Sequence, residues 1–217
     1  MAEKMIFLSD GVVSYDEKII AYTFVPGFSP TQRKKNVANL ESAIAKEYPG
    51  KKVLEISTKS DNELGRKLSA FNLKLDGHFI ESIFQSSKVF SDGKQYEFLI
   101  EKKPLEAKRF IKNLPSKEIV GFRYEGIDYP TEPKSLFYDF IYIKALKENS
   151  DVAEQLKDFD IFTDIEFNHK KSINCQARAC AIYSYLLKTD KVVEYTKDVE
   201  SFQTLYEGVH SDTISLF

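Results

Sequence analysis

Tryptophan is absent from this 217-residue chain, and cysteine (two), methionine (two) and histidine (three) are scarce. Each scarcity removes a class of chemistry. His78, His169 and His210 lie far apart, and Cys175 and Cys180 sit on different faces of one predicted helix, so neither a metal ligand set nor a disulfide is expected. Both thiols are expected to be reduced, buried, small hydrophobes. The chain has no Gly-x-Ser-x-Gly elbow, no Walker loop and no Gly-x-Gly-x-x-Gly turn, which leaves serine hydrolysis, nucleotide hydrolysis and Rossmann cofactor use without support. No metal and no cofactor is expected. No apolar window approaches the roughly 18 residues of a membrane span, and Met1 to Ala21 contains no apolar run with a basic flank, so a cytoplasmic protein without membrane association is expected. Repeats, low-complexity tracts and linkers are missing too. With a formal charge of −2 and a pI near 6.0, any contact with nucleic acid must come from a local patch.

What is present supports a packed core. Hydrophobic residues make up 42% of the chain, enough to bury one domain. The expected fold class is α+β: a mainly helical single domain with a small sheet, residues 1–60 forming an N-terminal β-α-β lobe packed on a core of residues 61–210. In the lobe, residues 19–25 (IIAYTFV) and 53–57 (VLEIS) read as strands. Between them Ser29, Pro30 and Gln32 form a capping-box start for a helix that Pro49-Gly50 stops. Asp61 to Arg66 and Pro104 to Leu114 read as helices, and Glu125-Gly126 as the two-residue turn of a hairpin. Residues 135–149 form a strongly apolar helix, the expected hub of the core, in which Asp139 needs a partner. Residues 160–168 alternate like a strand, Ser172 caps a helix reaching about Lys188, and the end frays from His210.

One stretch carries more chemistry than packing requires. From Ile80 to about Phe90 the period is helical: Phe79, Ile80, Ile83, Phe84 and Phe90 crowd one side, while Glu81, Gln85 and Lys88 line the adjoining one. Just upstream, Ser69, Phe71 and Asn72 precede a turn at Asp76-Gly77 and are positioned to fold back over this helix. By spacing alone the polar stripe reads first as a solvated helix face that gains little from pairing, because Glu81 and Lys88 are too far apart for the usual ion pair.

The run Ser69-x-Phe71, Gly77, then Glu81-x-x-Phe84-Gln85-x-x-Lys88 resembles the opening signature of the NADAR superfamily, in which Ser-Asn-Phe and a Gly lead into a Glu-His-x-x-Gln-x-x-Lys helix. FTDIEFNHKKSINCQARA (162–179), SLFYDFIYIKAL (135–146) and PGFSPTQRKKN near the start resemble the branch of NADAR antitoxins found beside DNA ADP-ribosyltransferase toxins. Nearly the whole chain is covered. Ala70 replaces the usual Asn, and Ser82 stands where His is common. The resemblance implies a NADAR-like fold, a substrate carrying ADP-ribose, and a toxin as genetic partner. It makes Glu81 the helix Glu and Asp164 the counterpart of an active-site Asp.

With those residues the chemistry points to a glycosidic bond. Cleaving a ribose-to-base C–N bond builds positive charge on the sugar, which carboxylates stabilise or relieve by activating water. Glu81 is expected to steady the cation or position water and Asp164 to shuttle the proton, although their order is not legible. Lys88 offers a second route, attack by its amine on the anomeric carbon to give a Schiff base. The start of the Ser172 helix, with Lys170 and Lys171 before it and Asn174 and Arg178 after, is an expected seat for the diphosphate. The alternative leaves Arg178 paired with Glu166. Ser69, Phe71, Phe84, Gln85, Tyr138 and Asn168 complete the expected substrate contacts, although aromatics at helical spacing are more often core. The resulting expectation is an ADP-ribosyl hydrolase, and resemblance to the toxin-associated branch implies that it acts on guanine in DNA as an antitoxin. The alternatives are an N-glycosidase on small phosphorylated ribosyl intermediates of the riboflavin-pathway type, and a non-catalytic antitoxin that blocks its toxin by contact.

Overall fold

The computed structural model describes residues 1–9, 15–27, 29–115 and 117–207. The expected frayed end from His210 lies outside them. In chain order the elements are β1 (Ala2–Leu8), β2 (Asp16–Tyr22), α1 (Pro30–Glu47), β3 (Val53–Glu55), α2 (Glu63–Lys67), β4 (Lys74–Leu75), β5 (His78–Phe79), α3 (Ile80–Ser86) and β6 (Lys88–Phe90). After these come α4 (Pro104–Lys112), β7 (Ile119–Tyr124), β8 (Ile127–Tyr129), α5 (Leu136–Glu148), α6 (Ser150–Ala153), β9 (Ile161–Thr163), α7 (Gln176–Lys188), α8 (Val192–Tyr195) and α9 (Val199–Glu207). A short 3-10 turn at Glu97–Glu101 precedes α4. The architecture is α+β.

The main sheet has the order β2-β1-β9-β3. β1 is antiparallel to both β2 and β9, and β9 is parallel to β3, so β2 and β3 run in the same direction across α1. The expected β-α-β unit therefore has the right sense, but two strands lie between its ends, one of them supplied from residues 161–163. Side-chain alternation covers both faces. Ile6, Leu8, Ile20, Tyr22 and Ile161 meet Leu40 and Ile44 of α1, while Phe7, Leu54 and Phe162 turn to the larger cluster built on α5 and α7. Helix α1 begins where the sequence says: Ser29 accepts the Gln32 N–H, Gln32 caps back, and Pro30 fills the first turn.

Helix α5 is almost entirely buried from Leu136 to Leu146, as its apolar run requires. The two short hairpins turn through Asp76-Gly77 and Glu125-Gly126, all four residues at positive φ between 50° and 82°. That is the backbone twist a two-residue hairpin loop demands.

Three predicted boundaries are corrected. The helix expected through Phe90 ends at Ser86, where the Ser86 and Ser87 hydroxyls donate to the Ile83 carbonyl and Arg123 N–H donates to Ser87 O. Lys88 to Phe90 then pair with β7, so strand pairing overrides the helical period. The strand expected over 160–168 stops at Thr163, because the Asp164 carboxylate accepts the Glu166 and Phe167 N–H groups and closes a turn. The helix expected from Ser172 begins at Gln176 with Cys175 as its N-cap, and Asn168 O takes the Lys171 and Ser172 N–H groups in a separate turn.

Candidate active site

Helix α3 is short and wholly buried, and its Glu81 and Gln85 form a polar row with Lys88 of β6. Gln85 links the other two: its Nε2 donates to Glu81 Oε1 (2.9 Å) and its Oε1 accepts from Lys88 Nζ (2.7 Å). Although Lys88 has left the helix for β6, its ammonium returns to the same row, 4.6 Å from the Phe84 ring centroid. Burial lowers its pKa from 10.5 to about 8, opposed by Glu81 and assisted by the charge of Lys108. Lys108 of α4 reaches Glu81 Oε1 at 3.4 Å and lies 5.3 Å over the Phe71 ring.

Across from this row stands Asp164, in the turn after β9. Its Oδ1 accepts from the Glu166 (2.9 Å) and Phe167 (3.2 Å) amides and its Oδ2 from Gln176 Nε2 (2.9 Å). Burial first, and then the negative charge of Glu55, raise its pKa to about 7 against the pull of these donors and of Lys4. A carboxyl so placed exchanges protons near neutrality. Glu81, Gln85, Lys88, Lys108, Asp164 and Tyr138 line one cavity of about 390 Å³, walled also by Phe71, Phe84, Phe122, Ile173 and Asn174. Burial keeps the Tyr138 phenol well above its ordinary pKa, so it remains a hydroxyl. Among the described residues no group of three or more His, Cys, Asp and Glu side chains is placed to hold a metal ion.

Residues 2–214 match the family model described as DarT1-associated NADAR antitoxin. The chain belongs to this family. No curated protein matches it. Among the described residues of this NADAR antitoxin, no helix is long and apolar enough to cross a membrane.

Of the residues singled out in the sequence, the NADAR cavity gathers Glu81, Lys88, Asp164, Phe71, Phe84, Gln85, Tyr138 and Asn174. Four others are elsewhere. Ser69 is fully buried and its hydroxyl donates to Arg66 O. Asn168 accepts from the Lys170 N–H in its own turn, and the Lys170 ammonium pairs with Glu3. Arg178 answers the charge of Asp139: its Nε lies 2.9 Å from Asp139 Oδ2, which also accepts from Tyr206, and its Nη1 donates to Ile173 O. Glu166 pairs with Arg33 instead. The anion seat is therefore not assembled as expected, because its helix starts at Gln176 and two of its cations, Lys170 and Arg178, are held by Glu3 and Asp139, although Ser172 still lines the cavity. Asn174 does face the cavity, its buried Oδ1 left without a partner.

Several residues that shape this site escaped the sequence. Gln176 joins two remote segments, accepting from Ala70 N–H (2.9 Å) while donating to Asp164. Lys108 and Phe122 reach the cavity from elements with no motif of their own. No local pattern marks them. The only available signal was that Gln176, Ile173 and Glu166 lie within the stretch already singled out around Asp164.

Proposed function

We propose that this NADAR antitoxin is an ADP-ribosyl hydrolase that cleaves the N-glycosidic bond between ADP-ribose and a nucleobase, guanine in DNA, and so reverses the modification made by its toxin. The observation that carries the proposal is one cavity with Glu81, Lys88 and Asp164 all buried in its wall. Two acids and an amine withdrawn from water are costly to keep unless their chemistry is used.

In the proposed reaction the C1′–N bond breaks, the electron pair goes to the base, and water supplies the oxygen that C1′ gains. Glu81, held by Gln85 and Lys108, is an anion for the developing ribosyl cation. Asp164 gives its proton to the leaving base and regains one from the attacking water. Lys108, half exposed at the rim, meets a phosphate, and the free Asn174 carbonyl accepts from a ribose hydroxyl.

Incubation with an oligonucleotide carrying ADP-ribosylated guanine is expected to release ADP-ribose, and Glu81→Gln and Asp164→Asn to suppress release by two or more orders of magnitude, on the order of 10²–10⁴-fold. No release by the wild type, or undiminished toxin rescue by both variants, refutes the hydrolase and favours an antitoxin acting by contact.

A second route to the same products uses Lys88. With its pKa lowered to about 8, a fraction of the amine is unprotonated at neutral pH and within the cavity. Its nitrogen attacks C1′, the base leaves with a proton, the ribose ring opens to a Schiff base, and water releases the sugar. Borohydride added during turnover is expected to trap a covalent adduct that Lys88→Ala abolishes. An adduct that survives Lys88→Ala excludes this route.

A further inference from the structure

β9 runs between β1 and β3, and each neighbour sends one charged side chain to the turn that follows it. From β3, Glu55 accepts the Thr163 hydroxyl (2.5 Å) and the Ile165 N–H (2.8 Å), gripping the residues on either side of Asp164. From β1, the Lys4 ammonium donates to the Ile165 carbonyl (2.7 Å) and to the Phe167 carbonyl. Lys4, Glu55 and Asp164 are 7%, 1% and 7% exposed, and of the three only Asp164 lines the cavity. One further detail fits a built arrangement: Gly65 of α2 packs so closely on β3 that a Cβ there would lie 1.9 Å from Glu55 O.

The charges do not balance. Two carboxylates are buried near one ammonium, which donates to backbone carbonyls and acts on both acids through its charge, and a second anion without a second cation is compensated by a proton. Among the described residues no other group near the cluster supplies the missing charge: Glu41 of α1, which faces Glu55, is a further acid, and burial and the charge of Glu55 raise the pKa of the Tyr22 phenol of β2. Tyr138 and Tyr142 on α5, and Cys175 and Cys180 at α7, are kept neutral by burial. Glu166, the remaining acid of the turn, is paired with Arg33. Across the cavity Glu81, Gln85, Lys88 and Lys108 satisfy one another.

We propose that Lys4 and Glu55 are a positioning pair, which fixes the Asp164 carboxyl in the cavity wall and keeps one proton on the Asp164–Glu55 pair at neutral pH. Neither touches the cavity, so both act through Asp164. The inference deepens the proposed hydrolase and rests on it only for the effect on rate. Glu55 raises the proton affinity of Asp164 and Lys4 lowers it, so the two have opposite signatures.

Carbon-13 NMR of the full chain labelled at its carboxyl carbons reads the cluster without turnover, Asp164 being assigned by the signal that Asp164→Asn removes. In the wild type, Asp164 is expected to titrate at about 7. Glu55→Gln keeps an acceptor for the Ile165 amide but removes the charge, and is expected to lower that midpoint by about one unit or more. Lys4→Met is expected to raise it. The alkaline limb of kcat moves with the midpoint in each variant, while KM changes little.

A wild-type Asp164 titrating in the ordinary carboxylate range of about 3–5 overturns the inference, and so does an unchanged midpoint in Glu55→Gln. Should the variants fail to fold, the wild-type Glu55 carboxyl signal decides: a step in it at the Asp164 midpoint sustains the shared proton, and no step there overturns it. Midpoints that shift as stated in a protein that hydrolyses no ADP-ribosylated oligonucleotide sustain the pair and refute the hydrolase.

Discussion

Replacing Arg178 by methionine separates a structural role from a substrate contact. Asp139 is fully buried and its Oδ2 receives Arg178 Nε at 2.9 Å, Tyr206 Oη at 2.6 Å and Ser135 Oγ at 3.2 Å. Without the guanidinium, the carboxylate keeps two hydroxyl donors and no cation. Stranding a buried charge in this way costs about 3–5 kcal/mol. In a chain of this size each kcal/mol moves Tm by roughly 2–4 °C, so Arg178→Met is expected to melt roughly 6–20 °C lower. Scanning calorimetry of the purified protein measures this. The double variant Asp139→Asn, Arg178→Met removes the stranded charge and is expected to recover more than half of the loss. A single variant whose Tm stays within about 2 °C of wild type, while KM for ADP-ribosylated DNA rises, refutes the argument and returns Arg178 to the substrate.

Asp164, raised to about 7, gives two signs to check. As the proton donor it makes kcat/KM fall about tenfold per unit above pH 7, a limb that Asp164→Asn is expected to flatten. Its stabilising proton is fully held below the unfolded value near 3.9 and lost as pH rises through 7, so the wild type is expected to melt at a lower temperature at pH 8 than at pH 5 by more than Asp164→Asn does. Lys88, reductively methylated with carbon-13, is expected to titrate near 8 by NMR, and a midpoint above 10 contradicts its burial. Gln176→Leu unties Ala70 from Asp164, at about 1–3 kcal/mol for each group left unpaired, and is expected to slow hydrolysis. An unchanged rate dismisses the clamp. Gly65→Ala, forced against the Glu55 carbonyl, is expected to cost about 1–3 kcal/mol in urea unfolding.

Local chemistry was legible wherever it was decided locally. Ser29, Pro30 and Gln32 fix the start of α1, Asp76-Gly77 and Glu125-Gly126 fix two hairpins, and the apolar run of α5 predicts its burial. Asp139, a charge in that run, announced a partner without naming it. Lys88 was placed on the right row by the wrong element, since the helical period and the β6–β7 pairing both carry its ammonium to Gln85. The phosphate seat loses two of its expected cations for the opposite reason. Lys170 and Arg178 read as free cations because Glu3 and Asp139, their partners, are remote in sequence.

The sequence by itself determined the α+β class and the facing of Glu81 and Gln85 one helical turn apart, because caps, turns and side-chain periods act over a few residues, and its motifs carry the likeness to the family. Only the tertiary structure decided that β9 enters the N-terminal sheet and carries Asp164 to the same cavity. It also decided which charges are spent, with Lys4 and Glu55 closing on the Asp164 turn from the two strands beside β9. The physical reason is desolvation: an acid or amine acquires its proton affinity from what surrounds it, and those surroundings come from segments that share no local pattern.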